Sequence, residues 1–379
     1  FKMLFLSIPM QTKSIHIISF DNPFPPNYGG VIDVFYKIKA LHAIGFKIYL
    51  HCFYQNRNQV SEELKAITEE VFLYKKNRNP FFLFSKIPLP VISRFHQDLA
   101  KNIAKIDAPI FFEGLQTTMI LQKVHLPNKK FLRLHNIESD FYAGMSKNET
   151  NYFWKIMYHF VAQKFMGYQK IISNFNHVFT LSCYENEVVK NITNQTDYVP
   201  VFHGNQHQFL SKRGKFALYH GDLRLADNKK AAKFLIEVFK EIPDYQLIIA
   251  SSNGKKMVET KAKNLSNVTF VELNASNQLT DLFSEAHINV MFSFQRSGTK
   301  LKVVNSLFNG RFCLVNKNMI DDVTVLNLCE LAETKQEFVA KINELKNKEY
   351  QENEKRNQVL STVLNDIENA KKIEKLLFS

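Results

Sequence analysis

Met291-Phe-Ser-Phe-Gln-Arg-Ser-Gly-Thr-Lys-Leu-Lys-Val-Val-Asn-Ser-Leu-Phe-Asn-Gly310 reads as a strand, a turn and a helix in immediate succession. An apolar strand at 288–292 ends in a polar turn holding Arg296 and Gly298, and a helix starts near Thr299. That helix carries Lys300 and Lys302 in its first turn, where cations oppose a dipole that prefers negative charge. A bound anion resolves the conflict, because a helix N-terminus flanked by Arg and Lys cradles phosphate. The alternative reading is a strand-to-helix turn whose basic side chains are merely solvated.

On both sides of this segment, short apolar runs alternate with helical patterns. Strands are read at 15–20, 47–53, 71–74, 109–113, 130–134 and 178–182, then at 216–219, 246–250, 268–271, 288–292 and 312–315. Helical patterns at 31–44, 91–106 and 151–172 separate the first set, and those at 229–241, 255–264, 277–285 and 299–309 the second. Short, nearly continuous apolar strands between helices predict parallel sheets covered on both faces. The pattern breaks at 198–214, in Val-Pro-Val-Phe-His-Gly-Asn and then a polar Ser-Lys-Arg-Gly, which reads as a linker. The charged stretch 346–377 reads as one or two terminal helices.

Bulk properties narrow the possibilities. A chain of 379 residues is long for one core, so two domains are expected. Hydrophobic content of 45% and charged content of 22% describe a globular protein, not a disordered one. Cys52, Cys183, Cys313 and Cys329 form no Cys-x-x-Cys pair and read as reduced thiols, which fits a cytoplasmic protein. No apolar run approaches the roughly 18–20 residues needed to span a bilayer. The apolar opening, 1–9, is too short for a complete signal peptide. A formal charge of +13 suits polyanions: nucleic acid, nucleotide phosphates or an anionic membrane face. Zinc spacings, RRM-type motifs and basic heptads are absent from the sequence, which argues against nucleic acid.

Three further segments stand at strand ends. Phe20-Asp-Asn-Pro-Phe-Pro-Pro-Asn-Tyr-Gly-Gly30 joins the first strand to a helix, and Gly29 and Gly30 let backbone N–H groups approach a ligand. A tight turn explains the same glycines. Phe131-Leu-Arg-Leu-His-Asn-Ile-Glu138 places His135 and Asn136 where a sugar or phosphate could be touched, although a lone histidine can be structural. Tyr219-His-Gly-Asp-Leu-Arg-Leu-Ala-Asp-Asn-Lys-Lys230 repeats the strand, glycine turn and helix. There Asp227 or Asn228 suits an N-cap. Arg224, Lys229 and Lys230 are phosphate partners or solvated cations.

In order and spacing these segments resemble bacterial glycosyltransferases of the GT-B architecture, in the group 1 superfamily (glycosyltransferase family 4). The Tyr28-Gly29-Gly30 loop, Leu134 to Glu138, Thr180 to Ser182, Val199 to Val201, Tyr219 to Gly221 with Asn228, and Gly298 to Lys302 ending at Gly310 carry the resemblance. It implies an α/β fold of two Rossmann-like, doubly wound parallel-sheet domains facing across a cleft. The expected division is 1–205 on the acceptor side, 206–350 binding the nucleotide sugar, and 351–379 packing back on the first domain.

The resemblance also implies a reaction: a sugar moves from a UDP- or GDP-sugar to a hydroxyl on a glycan, lipid-linked or protein-linked acceptor. Hexosyl transfer with retention and without a metal is implied, in surface polysaccharide or glycolipid synthesis. The sequence lacks the Asp-x-Asp pair by which GT-A enzymes hold a divalent ion. Arg296 and Lys302 would bind the diphosphate and stabilise the leaving group. His135 would contact the donor sugar or orient the reacting groups. Gly29, Gly30, Gly221, Arg224, Asn228, Ser297, Gly298, Thr299 and Asn305 would complete the donor site.

Two departures qualify this. Many relatives carry a pair of glutamates where the register here puts Ser297 and Asn305, and an arginine where this chain has Asp222. A non-catalytic GT-B scaffold that binds nucleotide or a partner enzyme is therefore a competing reading, and a nucleotide-sugar epimerase a third. The aromatic, basic stretch 141–168 reads as an ordinary amphipathic helix, or, with 81–92, as a peripheral contact with the inner face of a membrane.

Overall fold

The computed structural model describes residues 13–208, 210–274, 278–295 and 301–378. In the first half, β1 (Ser14–Ser19), β2 (Lys47–Tyr54), β3 (Glu70–Lys75), β4 (Ile110–Glu113), β5 (Lys130–Leu134), β6 (His177–Thr180) and β7 (Thr196–Tyr198) form one sheet, ordered β3-β2-β1-β4-β5-β6-β7. In the second, β8 (Phe216–His220), β9 (Leu247–Ser251), β10 (Val268–Glu272), β11 (Ala286–Val290), β12 (Phe312–Val315) and β13 (Glu330–Leu331) are ordered β10-β9-β8-β11-β12-β13. Every pairing is parallel. Both sheets reverse direction of growth beside their first strand, between β1 and β4 and between β8 and β11. At such a switch point the crevice beyond the carboxyl ends of the strands is open to a ligand.

The pattern of burial explains why the strands are legible. Every residue of β4, β6, β8, β9 and β11 is buried, as expected where helices cover both faces. The helix Gly29–Ala43 lays Val34, Ile38 and Leu41 against Ile15, Ile17 and Leu50. These positions fall three and four apart, on one helical face.

Two expected helices differ from the observed ones. The pattern at 91–106 is split into Leu89–Ile92 and Gln97–Ile103. Between them Arg94 turns inward and donates to the carbonyls of Phe20 and Pro90, and His96 then caps the second helix through Asp98 N. The pattern at 151–172 is α-helical only over Tyr152–Tyr168 and tightens to a 3-10 turn at Gln169–Asn174. Strands β7 and β13 were not expected. Each is an edge strand of two or three residues, too short for a period of two to show.

The C-terminal segment crosses between the halves. Helix Glu354–Thr362 packs Val359 and Leu360 on Val303, Val304 and Leu307 of the second half. Helix Asp366–Leu377 instead packs Ala370, Ile373 and Leu377 into the core of the first sheet. Leu181 and Val201 of the first half share a cluster with Met291 and Val303 of the second. Polar contacts add to this: Tyr184 N donates to Asp321 at 2.6 Å and Lys230 Nζ to Asn148 at 2.6 Å. The carboxyl ends of the two sheets thus face each other.

Candidate active site

The site is built from loops that leave β1, β4 and β5 on one side and β8 and β11 on the other. On the first side, Gly30 is required by packing: a Cβ there would stand 2.7 Å from Phe20 Cζ. The Phe20 ring meets His135 edge-on, with centroids 5.3 Å apart. A Cβ on Gly29 would lie 3.8 Å from Leu301 Cδ1, so this helix start faces the opposing helix Leu301–Asn309 directly. The loop between Phe20 and Gly29 is held by more than its prolines. Arg57 donates to Asn22 O at 2.7 Å and Asn27 Oδ1 at 2.7 Å, and Tyr28 OH donates to Asp21 at 3.0 Å.

Beneath this loop lies a network of buried charges that sequence reasoning missed. Asp33 accepts Arg133 Nη2 at 2.8 Å and Lys37 Nζ at 3.2 Å. Lys37 also reaches Glu113 Oε1 at 2.6 Å, and Glu113 Oε2 stands 3.0 Å from His135 Nε2. Burial alone would raise the Asp33 pKa, but Arg133 and then Lys37 hold it well below the usual carboxylate range. The signal was available: Asp33 and Lys37 interrupt the apolar face of a helix, and Arg133 interrupts an apolar strand. Each alone resembles an ordinary solvated residue, and the pairing across the fold is invisible locally.

This network fixes His135. With a carboxylate at Nε2, that nitrogen carries a proton and Nδ1 is the ring nitrogen left outside the network. Among the described residues Nδ1 has no hydrogen-bond partner, although it is buried. Asp33, Glu113 and His135 offer ligand atoms within 4.8 Å of one another, the spacing of a metal site. Lys37 Nζ stands between the two carboxylates, however, and Arg133 completes their neutralisation.

Glu138, which opens the helix Glu138–Asn148, is 3% exposed and is pushed up to about 8 by burial, against the opposing effect of Arg94. It is therefore largely protonated at neutral pH. Gln116 Nε2 donates to its Oε1 at 2.8 Å.

On the second side Lys302 is the focus. Its Nζ donates to Asn228 Oδ1 at 2.7 Å and to Tyr219 OH at 3.3 Å, and lies 4.8 Å from the centre of the Tyr219 ring. It also fills the space a side chain on Gly221 would need, since a Cβ there would be 2.6 Å from Nζ. Asn228 is set for this by donating to Asp222 O at 2.9 Å, while Tyr219 OH donates to Asn228 O at 3.1 Å. His220 is lowered to about 3 by burial and by the charge of Lys302, so its ring is neutral.

The expected helix cap is not observed. Neither Asp227 nor Asn228 caps the following helix, whose N-cap is Leu225 with no side-chain bond. Asp227 instead accepts from Ser293 Oγ at 2.9 Å and Phe294 N at 3.1 Å, tying the helix to the loop after β11. Arg224 is exposed and folds back on Asp222, with Nε 3.0 Å and Nη2 2.7 Å from its oxygens. Asn305 accepts from Asn205 Nδ2 at 2.9 Å, a residue of the linker. Arg296, Ser297, Gly298 and Thr299 lie outside the described residues. The structure thus brings Gly29, Gly30 and His135 to one wall and Gly221, Asn228 and Lys302 to the other.

Residues 214–348 match the family model described as glycosyl transferases group 1. An uncharacterised 44.6 kDa protein in the cps region of Klebsiella pneumoniae is 26% identical over 321 residues, covering 79% of this chain and 81% of that protein. Among solved structures, a point mutant of Staphylococcus aureus TarM in complex with fondaparinux, alpha-GlcNAc-glycerol and UDP aligns with a TM-score of 0.65 at 11% identity, over 97% of this chain and 100% of that one. Anabaena HepE in complex with UDP and glucose aligns with a TM-score of 0.60 at 11% identity, over 97% and 100% of the two chains. The UDP-forming alpha,alpha-trehalose-phosphate synthase of Burkholderia xenovorans, with glucose-6-phosphate, gives 0.59 at 9% identity over 97% and 100%. At these identities the likeness is one of fold, and the fold is GT-B.

Proposed function

We propose that this chain transfers a glycosyl group from a nucleotide diphosphate sugar to an acceptor hydroxyl. The observation that carries the reading is Lys302: a cation at the start of the helix Leu301–Asn309, held by Asn228 and Tyr219 and facing the Gly29 helix start. Two helix N-termini and an oriented ammonium make a well-formed receptor for a diphosphate. The match of residues 214–348 to the group 1 transferases supports the same reading, as do the UDP complexes of TarM and HepE.

In this scheme the bond from the anomeric carbon to the diphosphate breaks, and a bond to the acceptor oxygen forms. Lys302, with Arg296, stabilises charge arriving on the departing nucleotide, the role that a metal fills elsewhere. His135, oriented through Glu113, presents Nδ1 to a sugar hydroxyl. UDP or GDP is the nucleotide, transfer is hexosyl with retention, and no metal takes part. The cps-region relative supports a surface polysaccharide or glycolipid as product.

A thermal-shift panel of UDP, GDP and their sugars tests donor binding, because a ligand selective for the native state raises stability. Absence of any shift across the panel would refute the reading. The second reading, a scaffold that binds without turnover, is favoured by Asn305, whose amide oxygen is engaged by Asn205. It predicts a nucleotide shift with no nucleotide released from the sugar donor in the presence of acceptors.

A further inference from the structure

The stretch 141–168 does not form a single amphipathic helix. It forms a hairpin of Glu138–Asn148 and Tyr152–Tyr168, and the second helix is apolar on both faces. Phe165 and Ala162 enter the core. On the opposite face Phe153 is 63% exposed and Phe160 56%, with Ile156 between them at helical spacing. Beside this face, the 3-10 turn Pro80–Phe84 presents Phe81 at 75% and Phe84 at 87% exposure. Lys164 Nζ ties the two segments together by donating to Leu83 O at 2.9 Å. A helix carrying water-exposed aromatics opposite its core face gains nothing in solution, and such a patch marks an interaction surface.

The charge around the patch identifies what covers it. Residues 71–97 contain Lys75, Lys76, Arg78, Lys86 and Arg94 and no carboxylate; residues 150–184 contain Lys155, Lys164 and Lys170 and no carboxylate. Of these, Lys75, Arg78, Lys86, Lys155 and Lys170 are exposed. Two copies of so predominantly basic a face would repel each other. Exposed aromatic side chains ringed by Lys and Arg match an anionic bilayer surface instead, with rings at headgroup depth and cations on lipid phosphates. No helix among the described residues is long and apolar enough to cross a membrane, so the contact is one of lying on the surface. We infer that the face formed by the Tyr152–Tyr168 helix and the Pro80–Phe84 turn docks on an anionic lipid bilayer. The inference does not depend on the donor chemistry proposed above.

The chain contains a single tryptophan, Trp154, half-exposed on this helix, which makes the test direct. With phosphatidylglycerol vesicles the full chain should co-float and its tryptophan emission should shift to the blue. With phosphatidylcholine vesicles, or at raised salt, both effects should weaken. Combined Phe81→Ser, Phe84→Ser, Phe153→Ser and Phe160→Ser substitutions should weaken binding about tenfold or more at unchanged melting temperature. Lys86→Glu with Lys155→Glu, which keeps every aromatic residue, should remove the preference for anionic lipid. Neither flotation nor an emission shift with phosphatidylglycerol would overturn the inference. So would a stable lipid-free dimer, seen by sedimentation, that the four serine substitutions dissociate, because the patch would then belong to a second copy.

Discussion

Arg133 grips Asp33 from two sides, Nη2 at 2.8 Å from Oδ1 and Nε at 3.2 Å from Oδ2, with both side chains fully buried. The pair joins the middle of the first sheet to the helix that begins at Gly29. Arg133 also donates to Val199 O at 2.7 Å and Pro200 O at 2.9 Å, and Asp33 accepts from Phe202 N at 2.9 Å. One ion pair therefore sets the positions of β5, of the Gly29 helix and of the chain leaving the first sheet.

Removing one member strands the other. Asp33→Asn should destabilise the protein by about 3–5 kcal/mol, the usual cost of an orphaned buried charge, read by urea denaturation. The pH dependence has a definite sign. The Asp33 carboxyl is held below its unfolded value of 3.8 by Arg133 and Lys37, despite burial. Its contribution is present above that value and declines as pH falls through the folded pKa. The Asn variant should lose that part of the acid sensitivity; an unchanged urea midpoint would contradict the account.

Two other carboxyls act in the opposite direction. Burial pushes Glu138 up to about 8 and Glu185 up to about 8, from an unfolded value of 4.5. Between those limits the folded state holds protons that the unfolded state releases, so stability declines as pH rises through the folded value. Glu138→Gln keeps an acceptor for Gln116 and removes the titration. As pH rises from about 4.5 to about 8 its stability should fall less steeply than that of wild type, by an amount on the order of a few kcal/mol over that range. Parallel melting curves against pH for the two proteins would sink the assignment.

Gly221 is fixed both by its backbone, at φ +159°, and by Lys302. Its Cβ would meet Lys302 at Nζ and Cε, 2.6 and 2.8 Å away, the movable end of a long side chain. Gly221→Ala should therefore displace Lys302 from Asn228 and, because φ at this position is +159°, should also cost stability, on the order of 1–3 kcal/mol. Nucleotide binding should fall about tenfold or more, the loss of one charge-assisted contact to phosphate. Calorimetric titration with UDP and GDP gives the answer, and wild-type affinity in the variant would remove Lys302 from the diphosphate site.

These residues also show what a sequence can and cannot reveal. The two sheets were legible because β4, β6, β8, β9 and β11 are buried on both faces, so their apolar runs are uninterrupted. Strands β7 and β13 were not, being too short to carry a period. At the site, glycines and His135 stand out because strand ends are read locally. Arg133 with Asp33, and Lys302 with Asn228, depend on neighbours brought together by the sheet order, and no local pattern encodes that. The aromatic hairpin misled for a different reason: its periodicity is helical, but its solvent face is apolar.

Arg356 extends the reasoning to the far end of the helix that carries Lys302. It is buried, and its guanidinium donates to Ser306 O at 3.3 Å, Leu307 O at 3.0 Å through Nε, Gly310 O at 2.6 Å and Arg311 O at 2.8 Å. Those carbonyls end the helix Leu301–Asn309, where a cation both satisfies orphaned acceptors and complements the negative end of the dipole. Arg356 comes from the helix Glu354–Thr362, which precedes the crossing back to the first sheet. Arg356→Met fills similar volume but leaves several buried carbonyls unpaired, each costing about 1–3 kcal/mol. Stability and nucleotide affinity should therefore fall together. Arg356→Lys restores the charge without the planar fork, so it should recover only part of the loss. Melting curves with and without nucleotide distinguish the cases, and a Met variant with wild-type stability would show that the helix ends satisfactorily without this arginine.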